Sequence, residues 1–135
     1  MRKKGFLILI HCVLPISVGL FIYLFLRKGD TWIAQFFNLH NTISNNNSWV
    51  LYHIRFHFPD FLWAYSFCAM LLLLTTIKKK TVAALSFLFV SITEISTSIF
   101  FNATFDWVDI FYMMAAIIIA LLVIEKRNYE KLDNR

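Results

Sequence analysis

Four apolar runs, residues 6–26, 61–77, 82–101 and 108–124, decide what this chain can become. They are 21, 17, 20 and 17 residues long. A helix rising ~1.5 Å per residue needs roughly 17 to 25 residues to cross the hydrocarbon of a bilayer. Each run is therefore long enough to span. None alternates like a barrel strand, and unpaired backbone groups are too costly in lipid, so the runs read as helices. Composition agrees: of 135 residues 59% are hydrophobic and only 16% charged, more apolar surface than a small soluble domain can hide from water. The sequence predicts an all-α, four-helix transmembrane bundle, one integral membrane domain over 1–135, with an outer amphipathic or interfacial loop segment at 27–60.

Basic residues give the orientation. With those spans, Arg2, Lys3, Lys4, Lys78, Lys79, Lys80, Lys126, Arg127, Lys131 and Arg135 fall on one side, and Arg27, Lys28 and Arg55 on the other. The excess marks the first side as cytoplasmic, so both termini are expected inside. The formal charge of +5 is then met by anionic lipid headgroups, and no nucleic-acid partner is expected. The N-terminal run continues too far for a secretory signal and lacks a small-x-small cleavage site, so it is expected to stay as the first span. The chain is rich in Lys, Asn, Ile and Phe, which suggests a bacterial source and an inner-membrane location. The tail 125–135 should prolong the last helix into the cytoplasm through Glu125, Lys126, Glu130 and Lys131.

In the outer loop, "GDTWIAQFFNLH" sets Trp32, Ile33, Phe36, Phe37 and His40 at helical spacing after the capping residues Asp30 and Thr31, which predicts a helix lying in the headgroup layer. After the polar break "NTISNNNS", "WVLYHIRFHF" is rich in interfacial aromatics, and the whole loop is expected to fold over the bundle as a lid. His53 and His57 share a helix face, but without an adjoining Glu or Cys motif they read as packing residues, so no metal is expected. His11 should pair across helices near the irregularity at Pro15. Cys12 and Cys68, inside spans, read as small apolar residues with no disulfide between them.

The acids are harder to explain. Glu94 lies twelve residues beyond Val82, ~18 Å along its helix, and a charge at such depth costs about 2.5 to 3.5 kcal/mol on the lenient insertion scale. Ser91, Thr97 and Ser98, one turn away on either side, form a polar stripe that can offset this if it faces other helices. Asp106 and Asp109 open the last span and Asp60 opens the second, where helix N-termini favour acids. Capping does not explain their convergence with Glu94 on the outer side. The turn "NATFD" is so short that the last two helices must be antiparallel neighbours, and Glu94 and Asp109 could then line one outward cavity rimmed by Trp63, Tyr65 and Trp107.

The elements "PDFLWAYSF" (Pro59 to Phe67), Glu94, and "TFDWVDI" (Thr104 to Ile110) together resemble the small VanZ-like membrane proteins of bacteria, in which a glutamate in a late span precedes a D-x-x-D element opening the next. Thr97 stands where that family often has Gln, and Asn102-Ala103 where it has Pro-Gly. The resemblance covers about residues 55 to 125 and implies a cell-envelope role. The resulting expectation is a non-enzymatic protein with no cofactor. Its site would comprise Glu94, Asp106, Asp109, Asp60, Ser91, Thr97, Ser98, Trp63 and Trp107, binding a membrane lipid, a lipid-linked envelope component with an amine-bearing or cationic headgroup, or a partner membrane protein. Two alternatives stand beside it: an intramembrane acid/base enzyme on a lipid, and a small proton-coupled carrier using Glu94. Ala116 and Ala120, four apart, would permit close helix approach, within the chain or in a homo-oligomer.

Overall fold

The computed structural model describes residues 2–26, 48–100 and 106–133, and all secondary structure among them is helical. The expected interfacial helix around Trp32 to His40, the lid it would form, and the turn 102–105 lie outside the described residues.

Helix α1 covers residues 2–26 in four segments: Arg2–Ile8 and Leu14–Phe21 are α-helical, while Leu9–Val13 and Ile22–Leu26 are π-helical. The first widened turn has a local cause. Pro15 has no N–H to offer the carbonyl four residues back, and the Leu14 N–H bonds to the Leu9 carbonyl, five back. Helix α2 (Trp49–Phe56) and helix α3 (Phe58–Leu74) are set 41° apart at a break at His57. Pro59, in the first turn of α3, again removes the donor that would have continued one straight helix. Helix α4 (Lys79–Phe100) and helix α5 (Trp107–Asp133) complete the chain, α5 running on through the charged tail.

Among the described residues, two segments could cross a membrane by length and composition, Lys4–Leu26 and Trp107–Ile124, and a third if the bent α2–α3 pair is one span. These are fewer than the four crossings expected. Helix α3 also ends at Leu74, ahead of the expected 77, because Thr75 turns extended and the run into the lysines is unwound.

The packing has the character of helices in lipid. Small residues are prominent among the buried ones, Ala64, Cys68 and Ala69 on α3, Ser86 on α4, Ala116 and Ala120 on α5, beside larger ones such as Leu62, Val82, Met113 and Ile117. The large apolar side chains Phe6, Phe21, Leu88, Ile99, Phe111, Ile118 and Leu122 point outward. A soluble bundle does the reverse. With hydrocarbon as the surroundings, close backbone approach matters more than hiding Leu and Phe. Ala116 and Ala120 are fully buried in the core that α3 and α5 share, so packing within one chain accounts for them. Gly19 of α1 lies against Leu62, Pro59 and Trp63 of α3, where an added Cβ would sit at ordinary contact distances of 3.5 to 3.6 Å. Cys12 and Cys68 are buried free thiols, as expected.

Contacts fix the helix directions. Gly19 meets Pro59 while Cys12 clusters with Ala69 and Ile124, so α1 runs antiparallel to α3. His57 meets Asp109 at one end, and Ala69 meets Ile124 at the other, so α3 and α5 are parallel. Helix α4 runs back between them, bringing Glu94 to the start of α5. His11 Nδ1 and the Tyr65 hydroxyl lie 2.6 Å apart, a hydrogen bond between α1 and α3 next to the Pro15 irregularity. One end of the bundle thus carries Lys4 and the lysines at 78–80. The other carries His57, Asp60, Glu94, Asp106 and Asp109.

Candidate functional site

The acid-bearing end is assembled from the corner between α2 and α3, the last third of α4 and the first turn of α5. Asp106 precedes α5 and acts as its N-cap: the Val108 N–H donates to Asp106 Oδ1 at 2.8 Å. The Asp106 N–H in turn donates to Glu94 Oε1 at 3.3 Å. Half-buried Glu94 therefore faces the helix start and its positive dipole end. This interaction helps to compensate a glutamate so far along an apolar helix. Ser91 is half-buried one turn earlier, and the side chains of Thr97 and Ser98 lie outside those described.

Asp109, in the first turn of α5, reaches the corner between α2 and α3. Its Oδ1 lies 2.5 Å from Nδ1 of His57, a residue only 3% exposed. With Asp109 as a carboxylate, the proton of this bond sits on Nδ1 and the imidazole donates. Asp106 belongs to the same group: one ligand-type atom from each of His57, Asp106 and Asp109 lies within 4.8 Å of the others. Tyr112, one turn beyond Asp109, stacks against His57 at 5.5 Å and His53 at 5.9 Å between ring centroids, and Trp49 meets His53 edge-on at 4.2 Å. Rings from α2 and α5 thus clamp the histidines and hold the imidazole of His57 over the acids.

Beside this polar cluster lies a pocket of about 290 Å³ between α1, α3, α4 and α5. Its wall is apolar apart from Tyr23, Asp60, Trp63 and Thr93. Each wall-forming helix except α1 also supplies the cluster within about one turn. Asp60 follows His57 by three residues, Thr93 adjoins Glu94, and Met113 follows Asp109 by four. One turn is ~5.4 Å, so cluster and pocket are neighbours.

The residues singled out from sequence therefore divide. Glu94, Asp106 and Asp109 come together with each other. Asp60 and the half-exposed Trp63 line the pocket instead, and Trp107 stands exposed at the α5 start. Neither Glu94 nor Asp109 lines the described pocket; Asp109 meets His57, and Glu94 accepts from the Asp106 N–H. His57 and Tyr112 were not among the expected site residues. A signal for His57 was available, since parallel spans starting on one side must bring residue 57, before the first turn of one, near residue 109 in the first turn of the other.

No protein-family model, curated protein or solved structure matches this chain.

Proposed function

We propose that this chain is a four-crossing, VanZ-like envelope protein of the bacterial inner membrane, with both termini cytoplasmic. Its outer end binds a lipid or lipid-linked envelope component. The observation that carries this reading is the adjacency of two unlike surfaces: the His57, Asp106, Asp109 and Glu94 cluster, and the apolar pocket of about 290 Å³ one turn away. A headgroup at the cluster with part of an acyl chain in the pocket uses both, and small-molecule sites combine an apolar wall with a few convergent polar groups in this way. The distribution of lysines to the opposite end supports the orientation. The motif resemblance around Pro59 to Phe67, Glu94 and Thr104 to Ile110 supports the envelope role.

The His57–Asp109 pair favours a second reading, acid/base catalysis on a bound lipid, because an imidazole held by a carboxylate can relay a proton. Incubating the purified protein with labelled lipid extract separates the two, since only an enzyme converts a lipid species.

The binding reading is tested by placing a photo-crosslinking amino acid at Trp63, in the pocket wall, and at Leu122, on the apolar outer face of α5. Irradiation in intact cells should yield at position 63 a lipid adduct enriched over that at position 122. Identical bulk-lipid adducts at both positions would remove the proposed site.

A further inference from the structure

We propose that His57, Asp106 and Asp109 form a binding site for one divalent metal ion of the Zn²⁺ or Mn²⁺ class. The proposal deepens the reading above and rests on it in one respect, that the cluster is a ligand-binding end and not only a helix cap. Three observations converge.

The first is donor chemistry. One imidazole nitrogen and two carboxylates make a mixed nitrogen and oxygen set, which suits Zn²⁺ or Mn²⁺ better than Mg²⁺, an ion that keeps most of its waters and takes oxygen. The second is geometry. Two atoms each ~2.1 Å from a common ion are at most about 4.2 Å apart, and the three donors already lie within 4.8 Å of one another. For His57 Nδ1 to ligate, the proton it shares with Asp109 must leave and their 2.5 Å contact must open as the ion enters, so binding releases a proton. The third is charge. Two carboxylate side chains, Asp106 and Asp109, gather around a single imidazole that is itself almost fully buried, and Glu94 adds a third acid against the Asp106 backbone. A dication offsets that accumulation where the surroundings are poor in water.

The arrangement around these donors is also that of a supported site. Tyr112 stacks on His57 and fixes its ring plane, and the helical N-cap geometry fixes Asp106. The neighbouring His53 has a buried Nδ1 that meets no hydrogen-bonding partner among the described residues. Three protein ligands leave coordination positions open. A phosphate oxygen of a lipid headgroup fits that opening, with the apolar pocket one turn away for the chain attached to it. The carboxylates alone would repel such a headgroup; an ion between them makes an acidic cluster a phosphate site.

The test uses the full chain in detergent, stripped with chelator and dialysed against ZnCl₂ or MnCl₂ without added lipid. One ion per chain is expected for the wild type. His57→Gln, Asp106→Asn and Asp109→Asn should each weaken binding at least tenfold while helix content by circular dichroism is unchanged. A wild-type readout guards against variants that fail to fold: Mn²⁺ should broaden the side-chain signals of His57 in histidine-labelled protein and spare those of His11, which lies deep in the bundle against Tyr65. Substoichiometric binding of both ions, equal binding by the folded variants, or broadening that spares His57 overturns the proposal. Metal binding without lipid adducts at Trp63 would sustain the ion site and defeat the lipid reading; adducts that survive chelation, with no ion bound, would do the opposite.

Discussion

At the residue scale the acids hold two roles that substitutions can separate. Asp106 caps α5 through the Val108 N–H, so Asp106→Ala should cost about 1 kcal/mol of stability, whereas Asp106→Asn keeps an acceptor and should cost only a few tenths. If the aspartate served the helix alone, both losses would end there. Ligand binding should instead fall in both variants, because each removes the charged donor. Thermal unfolding in detergent alongside lipid retention reads the two effects apart. Glu94 gives a related contrast. Glu94→Gln leaves an oxygen facing the Asp106 N–H and removes the desolvation cost of a carboxylate, so unfolding should be unchanged or occur at higher temperature. Glu94→Leu strands the donor and should cost about 1 to 3 kcal/mol. What the sequence shows at this scale is that these acids need partners. Which partners they take was legible for Asp106, whose capping role follows from its place before an apolar run. It was not legible for Glu94, which accepts from a backbone N–H at the start of another helix, a partner that no spacing along its own helix reveals.

At the scale of elements, small residues are fully buried where α3 and α5 meet, while many large apolar side chains are exposed. Ala116 and Ala120 have no exposed surface, while Ala115 beside them is exposed. Ala116→Leu or Ala120→Leu should therefore cost about 1 to 3 kcal/mol by overpacking, and Ala115→Leu almost nothing. Equal effects from all three in a detergent-unfolding series would contradict the packing described. The same two alanines show why sequence spacing alone left their role open: a four-residue interval of small side chains serves a neighbouring helix of the same chain as well as that of another. Tyr65→Phe removes the hydroxyl that reaches His11 and should lower stability by about 0.6 to 1.7 kcal/mol, the range for hydrogen bonds between membrane helices, without altering ligand retention. The elements themselves were legible from their apolar runs. Their ends were less so, because hydropathy does not mark where backbone hydrogen bonding stops: α3 ends at Leu74 although Ile77 is apolar, and α4 begins at Lys79 although lysine is not. The bend at His57 was written in Pro59, but only as a break, without its angle.

For the whole molecule, the fold separates charge along its axis, with lysines at one end and a histidine–carboxylate cluster at the other. This separation predicts sidedness. A cysteine introduced at Ser48, at the cluster end, should react with a membrane-impermeant maleimide in intact cells, and one at Lys79 only after lysis; the buried Cys12 and Cys68 contribute little background. The reverse pattern would put the cluster inside the cell and end the proposed envelope role. Sequence periodicity and charge reach this axial arrangement because both are one-dimensional properties. The pocket is different in kind. It lies where α1 packs on α3 near Pro59 and Trp63, with space left toward α4 and α5, and such a gap between four helices has no signature along the chain. The account's central claim is that this gap, next to the cluster, holds a lipid. The most direct measurement is native mass spectrometry of protein released gently from its own membrane, comparing wild type with Thr93→Trp, which fills the pocket from an exposed wall position. One lipid of a restricted headgroup class retained per wild-type chain, and lost in the variant, is the predicted result; wild-type protein that emerges bare, or a variant that retains the same lipid equally well, would contradict it.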